Sequence, residues 1–212
     1  KKNNKISLIN GPINKKKIIK RKFLGITEYL EFKTKSKENI AILIYNKNLS
    51  VSPLTTHLPL KEVHKHINKM KIINHVKLIT KFYKKRFKIN PKIGVTGLNP
   101  HCESNFNKDE DDKMINTVIK HLIKKNYKVT GPYPADTIFL KDNYKNFDVI
   151  IGMYHDQVLT PIKSIFGFDA INITLGLPFL RISPDHGPNL KMFLKNKSDP
   201  SSLMLALQFL NK

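Results

Sequence analysis

The chain alternates short runs of apolar, mostly β-branched residues with longer segments that carry apolar residues along one helical face. Continuous apolar runs lie within 38–46, 92–100 and 148–154, and helical periodicity covers 69–88 and 109–127. A strand that is apolar on both faces has to be covered on both sides, and helices between strands supply that cover. The pattern therefore favours an α/β fold with a doubly wound sheet. Further strands are predicted within 6–9, 49–60, 128–139 and 170–179, and a further helix at 201–210.

The two longest helices have recognisable buried faces. The helix predicted at 109–127 has acidic residues in its first turn and lysines in its last, which matches the helix dipole. Its apolar stripe consists of Met114, Ile115, Val118, Ile119, Leu122 and Ile123. The stripe of the helix at 69–88 consists of Ile72, Ile73, Val76, Ile79, Phe82 and Tyr83. No Gly/Ser-rich linker or internal repeat divides residues 1–212, so the sequence predicts no internal domain boundary.

The bulk composition indicates a globular protein of a reducing compartment. The chain has 212 residues, 40% of them hydrophobic, which is enough for a substantial core. Its apolar runs reach only about five residues, far short of a membrane span. The single cysteine, Cys102, excludes an internal disulfide framework, and no signal-peptide core follows the basic first residues. We expect a cytoplasmic protein that has no membrane association.

A formal charge of +22 raises the possibility of nucleic-acid binding. Arginine is the preferred residue for bidentate contacts with phosphates and bases, but only Arg21, Arg86 and Arg181 are arginines among 38 basic residues. The lysines are spread over every segment, and no zinc-knuckle or helix-turn-helix pattern accompanies them. A specific nucleic-acid partner is therefore not expected. Weak, non-specific binding of polyanions stays a remote alternative.

Three histidines occur in the same local context, where a predicted strand gives way to a loop. His57 follows the strand in "SVSPLTTH", His101 the one in "IGVTGLNPH", and His155 the one in "VIIGMYH". The ends of parallel strands can converge, and neutral imidazoles are good ligands for divalent metals. The plainer alternative for each histidine is a capping or hydrogen-bonding role at a strand end. Three matching contexts favour the metal site.

The remaining histidines carry less signal. Those on the lysine-rich predicted helices are expected to face solvent: His64, His66, His75 and His121. The loop histidine His186 could support a site or the local structure. Carboxylates near strand ends are Asp136, Asp156 and Asp185. Each could orient an imidazole or act as a base, or could simply form a turn.

Two cations stand out from the lysine background because their neighbours are apolar. Lys163 follows Pro161-Ile162, and Arg181 follows Phe179-Leu180. Such cations suggest recognition of an anionic ligand, with ordinary surface cations as the alternative. Asn172 lies in the same part of the sequence as Arg181. Neither a G-x-G-x-x-G motif nor a P-loop is present, so any nucleotide must bind in another way.

Five motifs together resemble one known enzyme family. These are "TTHLPL", "GLNPH", "GPYPADTIF", "MYHDQ" and "NITLGLPFLR", in this order and at similar spacing. They resemble the 4-hydroxythreonine-4-phosphate dehydrogenase family of vitamin B6 (pyridoxal phosphate) biosynthesis, from about residue 6 to the chain end. The resemblance implies the α/β/α fold of isocitrate and isopropylmalate dehydrogenases. It also implies a homodimer whose active sites lie at the subunit interface.

The resemblance assigns roles to particular residues. It implies a divalent metal (Zn, Mg or Co) bound by His57, His101 and His155. The implied substrate-binding residues are Thr27, Lys163, Asn172 and Arg181, and Asp136 and Asp156 fall on active-site motifs. The implied reaction oxidises 4-phosphohydroxy-L-threonine with NAD or NADP, followed by decarboxylation to 3-amino-2-oxopropyl phosphate. Cofactor-binding residues are not implied by any motif.

The chain departs from the family pattern in three ways. Residues 1–212 are expected to be the C-terminal two-thirds of a two-subdomain dehydrogenase, without the family's N-terminal part and its glycine-rich segment. Ile26 stands where the family pattern G-H-T-E has a histidine, while Thr27 and Glu28 are retained. The segments after His101 and around Pro188 also differ from the family pattern. A degenerate, catalytically inactive family member is therefore the main alternative to an active dehydrogenase.

Overall fold

A computed structural model describes residues 6–13, 23, 25–36, 40–102, 110–187, 195 and 199–211. The segment after His101 and the position of Pro188 lie outside these residues. In chain order the helices and strands are β1 (Ser7–Ile9), α1 (Ile26–Thr34), β2 (Ala41–Tyr45), β3 (Ser50–Thr55), α2 (Leu60–Val63), α3 (Lys69–Phe87), β4 (Ile93–Thr96), α4 (Glu110–Lys124), β5 (Val129–Tyr133), α5 (Ala135–Ile138), α6 (Lys141–Tyr144), β6 (Val149–Tyr154), α7 (His155–Phe166), β7 (Ile171–Leu175), β8 (Leu180–Pro184) and α8 (Ser201–Asn211). Single 3₁₀ turns cover His64–His66 and Pro100–Cys102.

The chain folds into two compact units, and no linker marks their boundaries in the sequence. The first unit combines residues 1–46 with 166–212, and the second is the continuous segment 47–165. The first unit is assembled from the two ends of the chain, so no local signal could separate it from the second. The expected α/β class is confirmed, since each unit contains strands and helices.

The second unit contains a parallel sheet in the order β3-β6-β4-β5. Strands β3, β6 and β4 are buried on both faces. Their largely apolar sequences predict this for β4 and β6, whereas β3 also buries polar side chains. Helix α3 is capped at its N-terminus by Asn68, whose side chain accepts a hydrogen bond from the Lys71 backbone N–H. The core consists of fully or almost fully buried side chains: Val51, Ile72, Val76, Ile79, Ile93, Val95, Ile115, Ile119, Leu122, Ile150, Ile151 and Met153.

The first unit contains strands in the order β1-β8-β7-β2, and only the β1–β8 pair is parallel. Strand β7 is antiparallel to both β2 and β8. This part of the sheet is therefore mixed, unlike a uniformly doubly wound parallel sheet. The segment that follows Gly176 returns as β8 without a helix, and an antiparallel neighbour needs no crossover. Strand β7 was predicted from its alternating sequence, whereas β8 was not predicted.

Two side chains of helix α8, Ser202 and Phe209, hold the helix against the strands of this unit. Ser202 Oγ donates to the Ala170 carbonyl at 2.6 Å and accepts from the Asp185 backbone N–H at 3.0 Å. The Phe209 ring packs edge-on against Tyr45 of β2, with 5.1 Å between centroids. The last helix is thereby held against β2, β7 and the end of β8.

Three local expectations were wrong. His75 is only 2% exposed, because it lies three residues after Ile72 and four before Ile79 on the buried stripe of α3. Ile123 is 49% exposed, because it lies at the edge of the α4 stripe. His155 opens a helix and not a loop, and Pro161 lies inside that helix. Since proline lacks an N–H, this helix forgoes the bond from residue 161 to the Gln157 carbonyl.

Among the described residues, no helix combines the length and the apolar character that crossing a lipid bilayer requires.

Candidate functional site

The carboxyl ends of the four parallel strands in the second unit lie at one edge of the sheet. Strands β3, β4, β5 and β6 end at Thr55, Thr96, Tyr133 and Tyr154. Within five residues of these ends follow His57, His101, Asp136 and His155. The parallel arrangement therefore brings four candidate residues to the edge at which α/β sheets bind ligands.

His57 and His155 form the closest pair among these candidates. Their ring centroids are 6.1 Å apart and the ring planes are inclined at 34°. The His155 side chain is 43% exposed and His57 is also exposed, so water and ions can reach both rings. Two imidazoles at this separation suit two ligands of one divalent ion, and their neutral nitrogens are the donors that zinc and cobalt prefer.

Asp156 orients one of these rings. His155 Nδ1 and Asp156 Oδ1 are 2.6 Å apart, so an Nδ1–H tautomer donates to the carboxylate. With Nδ1 occupied, Nε2 is the nitrogen that can bind a metal. A carboxylate that fixes a metal-binding imidazole in this way is common in metal sites.

His101 is exposed in the 3₁₀ turn after β4 and does not complete a cluster. Within the part of the chain that the structure describes, no three or more His, Cys, Asp or Glu side chains converge with metal-binding geometry. The described residues thus bring together two of the three expected ligands. They fit a divalent ion as a partial donor set.

The backbone at two of the histidines has unusual dihedral angles. His57 has φ of 53° and His101 has φ of 59°, both in the left-handed region. Residues other than glycine adopt this region rarely, and the cost is of the order of 1 kcal/mol. Strained residues of this kind concentrate at functional sites.

A buried glutamine, Gln157, joins the ends of β4 and β6. It belongs to the motif "MYHDQ", from which no role was predicted for it. Gln157 Oε1 accepts from the Met153 backbone N–H at 2.7 Å and from Thr96 Oγ1 at 2.8 Å. Its Nε2 donates to the Gly97 carbonyl at 2.8 Å. Thr55 Oγ1 donates to the Met153 carbonyl at 2.7 Å. The only sequence signal for this role was a polar residue directly after a His-Asp pair at the end of an apolar strand.

The second unit contains two other candidate residues, Lys163 and Asp136. Lys163 is half-buried on α7, about two turns beyond His155. Asp136 is exposed in the first turn of α5, just after β5. A cavity of about 610 Å³ borders β5, but its lining includes none of the candidate residues.

The first unit holds Arg181 in a defined orientation. The residue is 3% exposed, and its guanidinium donates from Nε to Asn10 Oδ1 at 2.7 Å and from Nη1 to Thr174 Oγ1 at 2.9 Å. Burial lowers the pKa of Arg181 to about 10, and the Glu28 carboxylate opposes this effect. The guanidinium therefore stays charged at neutral pH.

Asn172 shares a sheet face with this arginine. The register pairs Asn172 with Ser183 and Thr174 with Arg181, and alternate residues of a strand point to the same side. The Asn172 Oδ1 atom is buried, and it has no hydrogen-bond partner among the described residues. An unpaired buried amide oxygen beside a buried cation is the kind of polar group that a ligand would satisfy. Thr27 is half-buried in the first turn of α1.

Comparison with known proteins gives a consistent result. The family model described as "Pyridoxal phosphate biosynthetic protein PdxA" matches residues 1–210. The chain belongs to the PdxA family.

Relatives of this PdxA-family chain carry one enzyme name. Two curated proteins named 4-hydroxythreonine-4-phosphate dehydrogenase are 43% identical over 206 residues (Sulfurihydrogenibium sp. strain YO3AOP1) and 38% identical over 207 residues (Aquifex aeolicus strain VF5). These alignments cover 95% and 96% of this chain and 63% of each relative. The PdxA-family chain therefore spans about 63% of the length of these relatives.

A solved structure supports the expected fold. The 4-hydroxythreonine-4-phosphate dehydrogenase from Klebsiella pneumoniae aligns with a TM-score of 0.81 and 30% identity. The alignment covers 96% of this chain and 64% of the other. The family recognised from the five motifs is thus confirmed, together with the dehydrogenase fold.

Proposed function

We propose that this chain carries the metal and substrate residues of a dehydrogenase that oxidises 4-phosphohydroxy-L-threonine with NAD or NADP. The observation that carries this proposal is the His57–His155 pair at the carboxyl edge of a parallel sheet, in a PdxA-family chain. The relatives' shared enzyme name supplies the substrate. Pyridoxal phosphate biosynthesis is the corresponding pathway, as the family description says.

The reaction has two steps. In the first, the secondary alcohol loses its hydroxyl proton to a base and its C–H hydride to the nicotinamide, which leaves a β-keto acid. In the second, the bond to the carboxylate breaks, CO₂ leaves, and the resulting enolate is protonated to give 3-amino-2-oxopropyl phosphate. Asp136 and Asp156 are the candidate proton-transfer residues, and the exposed position of both allows exchange with solvent.

A divalent ion (Zn, Mg or Co) would be held by His57, His155 and His101. When bound, it would polarise the alcohol oxygen and stabilise negative charge on it in both steps. The Asp156 carboxylate already orients the His155 ring for this role. Of these three histidines, His57 and His155 lie together, and His101 does not complete a cluster with them among the described residues. Contribution from a second copy of the chain would supply further ligands, in keeping with a homodimer that has interface active sites.

The phosphate and carboxylate of the substrate need cationic partners. Arg181 is suited to this task because two of its nitrogens are already held by Asn10 and Thr174, which reduces the entropy lost on binding an anion. Lys163 would supply a second cation, and Asn172 and Thr27 would supply polar contacts. Binding at these groups would fix the reacting carbon relative to the nicotinamide.

An inactive family member is the second candidate, and Ile26 favours it. An isoleucine cannot donate a hydrogen bond to a phosphate, whereas the histidine of the family pattern can. We would measure metal-dependent NADH or NADPH formation from 4-phosphohydroxy-L-threonine, comparing the chain with its Ile26→His variant. Activity in the chain supports the dehydrogenase, and activity only in the variant assigns the defect to position 26. No product from either, at saturating metal and both cofactors, would contradict the proposed activity.

A further inference from the structure

We propose that Gln157 is a positioning residue that sets the geometry of the His57–His155 pair by joining the strand ends on which the histidines depend. This inference rests on the proposed metal-binding role of those histidines. It concerns a residue that touches neither substrate nor metal and acts through the backbone of β4 and β6.

The Gln157 amide is surrounded by backbone and hydroxyl partners. The residue is 9% exposed, while its neighbour Asp156 is exposed. Its carbonyl oxygen accepts two hydrogen bonds, from Met153 N at 2.7 Å and Thr96 Oγ1 at 2.8 Å. Its Nε2 donates to the Gly97 carbonyl at 2.8 Å. One side chain therefore fixes the last residues of two strands relative to the first turn of α7.

Each atom fixed in this way lies close to a candidate ligand in the chain. Met153 is two residues before His155, and Gly97 is four residues before His101. The Met153 carbonyl also accepts from Thr55 Oγ1 at 2.7 Å, and Thr55 is two residues before His57. The Met153 carbonyl is thus bonded to the end of β3. The Met153 N–H is bonded to Gln157, which in turn is bonded to the end of β4.

Three side chains that resemble glutamine in size or chemistry do not meet these requirements. Glutamate has the same length, but its carboxylate would be buried against the Gly97 carbonyl oxygen with no proton to donate. Asparagine is one methylene shorter, and methionine fills the volume but leaves buried Met153 N–H and Gly97 C=O groups unpaired. The first turn of α7 also packs closely against β6 at Gly152. A Cβ added there would lie 2.4 Å from Val158 Cγ1 and 3.2 Å from Gln157 Oε1.

The test compares Gln157→Met with a matched structural control. Tyr83→Phe also removes a buried hydrogen bond to a strand of the same unit, from Tyr83 Oη to Ser50 Oγ at 2.9 Å, but at the opposite end of β3. Calorimetric titration of the full chain with Co²⁺ alone measures metal affinity. Histidine-ring ¹H–¹³C spectra without metal, assigned with His57→Gln and His155→Gln, measure the surroundings of the two rings.

We expect Gln157→Met to weaken Co²⁺ binding by about 10- to 100-fold, as for other groups that hold metal ligands in place. It should also shift the ring signals of His57 and His155, while Tyr83→Phe changes neither. Equal Co²⁺ affinity in the two variants would overturn the inference and leave the proposed function standing. If the chain binds no Co²⁺, the proposed metal role fails, and the ring signals decide alone: shifts confined to Gln157→Met support positioning, and unshifted signals overturn it.

A second pair of variants covers the case in which Gln157→Met does not fold. Thr96→Val removes one of the three bonds to Gln157, and Thr96→Ser keeps it. Positioning predicts weaker Co²⁺ binding or shifted ring signals for Thr96→Val and recovery in Thr96→Ser. Indistinguishable behaviour of the two variants would overturn the inference.

Discussion

The rings of His57 and His155 lie 6.1 Å apart at their centroids although the residues belong to different strand ends. Thr55 lies two residues before His57, and Met153 lies two residues before His155. Thr55 Oγ1 donates to the Met153 carbonyl at 2.7 Å. Strand pairing and this buried hydroxyl therefore join the backbone segments that lead to the two histidines, in addition to the Gln157 bond to the Met153 N–H.

Removal of His155 should abolish stabilisation by metal. A ligand that binds only the folded state raises the free energy of unfolding by about 2.7 kcal/mol at 100 times its dissociation constant. We expect Zn²⁺ or Co²⁺ to raise the melting temperature of the chain, and His155→Ala to lose most of this rise. His121→Ala changes an exposed histidine on α4 and should keep it. An equal metal-induced rise in both variants, measured by differential scanning fluorimetry, would contradict the assignment of His155 as a ligand.

The buried His75 should make the chain less stable in mild acid. Burial, together with a smaller effect of the nearby Lys71 charge, lowers the pKa of His75 from its ordinary 6.5 to about 4, and the Pro53 carbonyl partly opposes the shift. Below pH 6.5 the unfolded chain binds a proton that the folded chain does not, so stability is full above pH 6.5 and falls as the pH drops towards 4. The shift corresponds to about 2 kcal/mol lost between pH 7 and pH 5.

Urea unfolding at several pH values tests this contribution. His75→Leu should remove that part of the pH dependence, whereas His121→Leu should leave it unchanged because His121 is exposed. The same slope between pH 5 and 7 in His75→Leu and in the parent chain would show that His75 is not its source.

Arg181 should contribute to both stability and anion binding. Arg181→Lys keeps the charge but cannot donate to Asn10 and Thr174 in the same planar arrangement. Loss of hydrogen bonds from a buried charged group costs about 1.5–3 kcal/mol each, and partial replacement by lysine should lower the free energy of unfolding by about 1–3 kcal/mol. Lys124→Arg, at an exposed position in the last turn of α4, should cost less than about 0.5 kcal/mol. Equal costs in urea unfolding would argue against a special role for Arg181.

Gly152 should not tolerate a larger residue. Its added Cβ would lie 2.4 Å from Val158 Cγ1, so Gly152→Ala has to displace the start of α7 from β6. Overpacking of this kind costs about 1–3 kcal/mol. Gly11→Ala is the control, because an added Cβ there meets nothing within 4 Å. A free energy of unfolding for Gly152→Ala within experimental error of Gly11→Ala would contradict the packing at this position.

The sequence by itself determined the family, the long helices α3 and α4, and most of the strands. Strands β4 and β6 are largely apolar on both faces, and the stripe of α3 follows the helical period from Ile72 to Tyr83, so hydrophobic patterning located them. The predicted strands placed His57, His101 and His155 at strand ends, and strands β3, β4 and β6 of the structure end one to five residues before them. These features are local, and a pattern of neighbouring residues is sufficient to reveal them.

Only the tertiary structure decided which of these elements meet. Strand order pairs β3 with β6 and turns β7 against β2 and β8, and neither follows from the residues of one strand. The same holds for contacts between residues that are distant in the chain. Asn10 orients Arg181, and Gln157 is bonded to Gly97. The burial of His75 likewise depends on what packs against α3. The physical reason is that hydrogen bonding and burial depend on register between strands, and register is set by the packing of the whole unit.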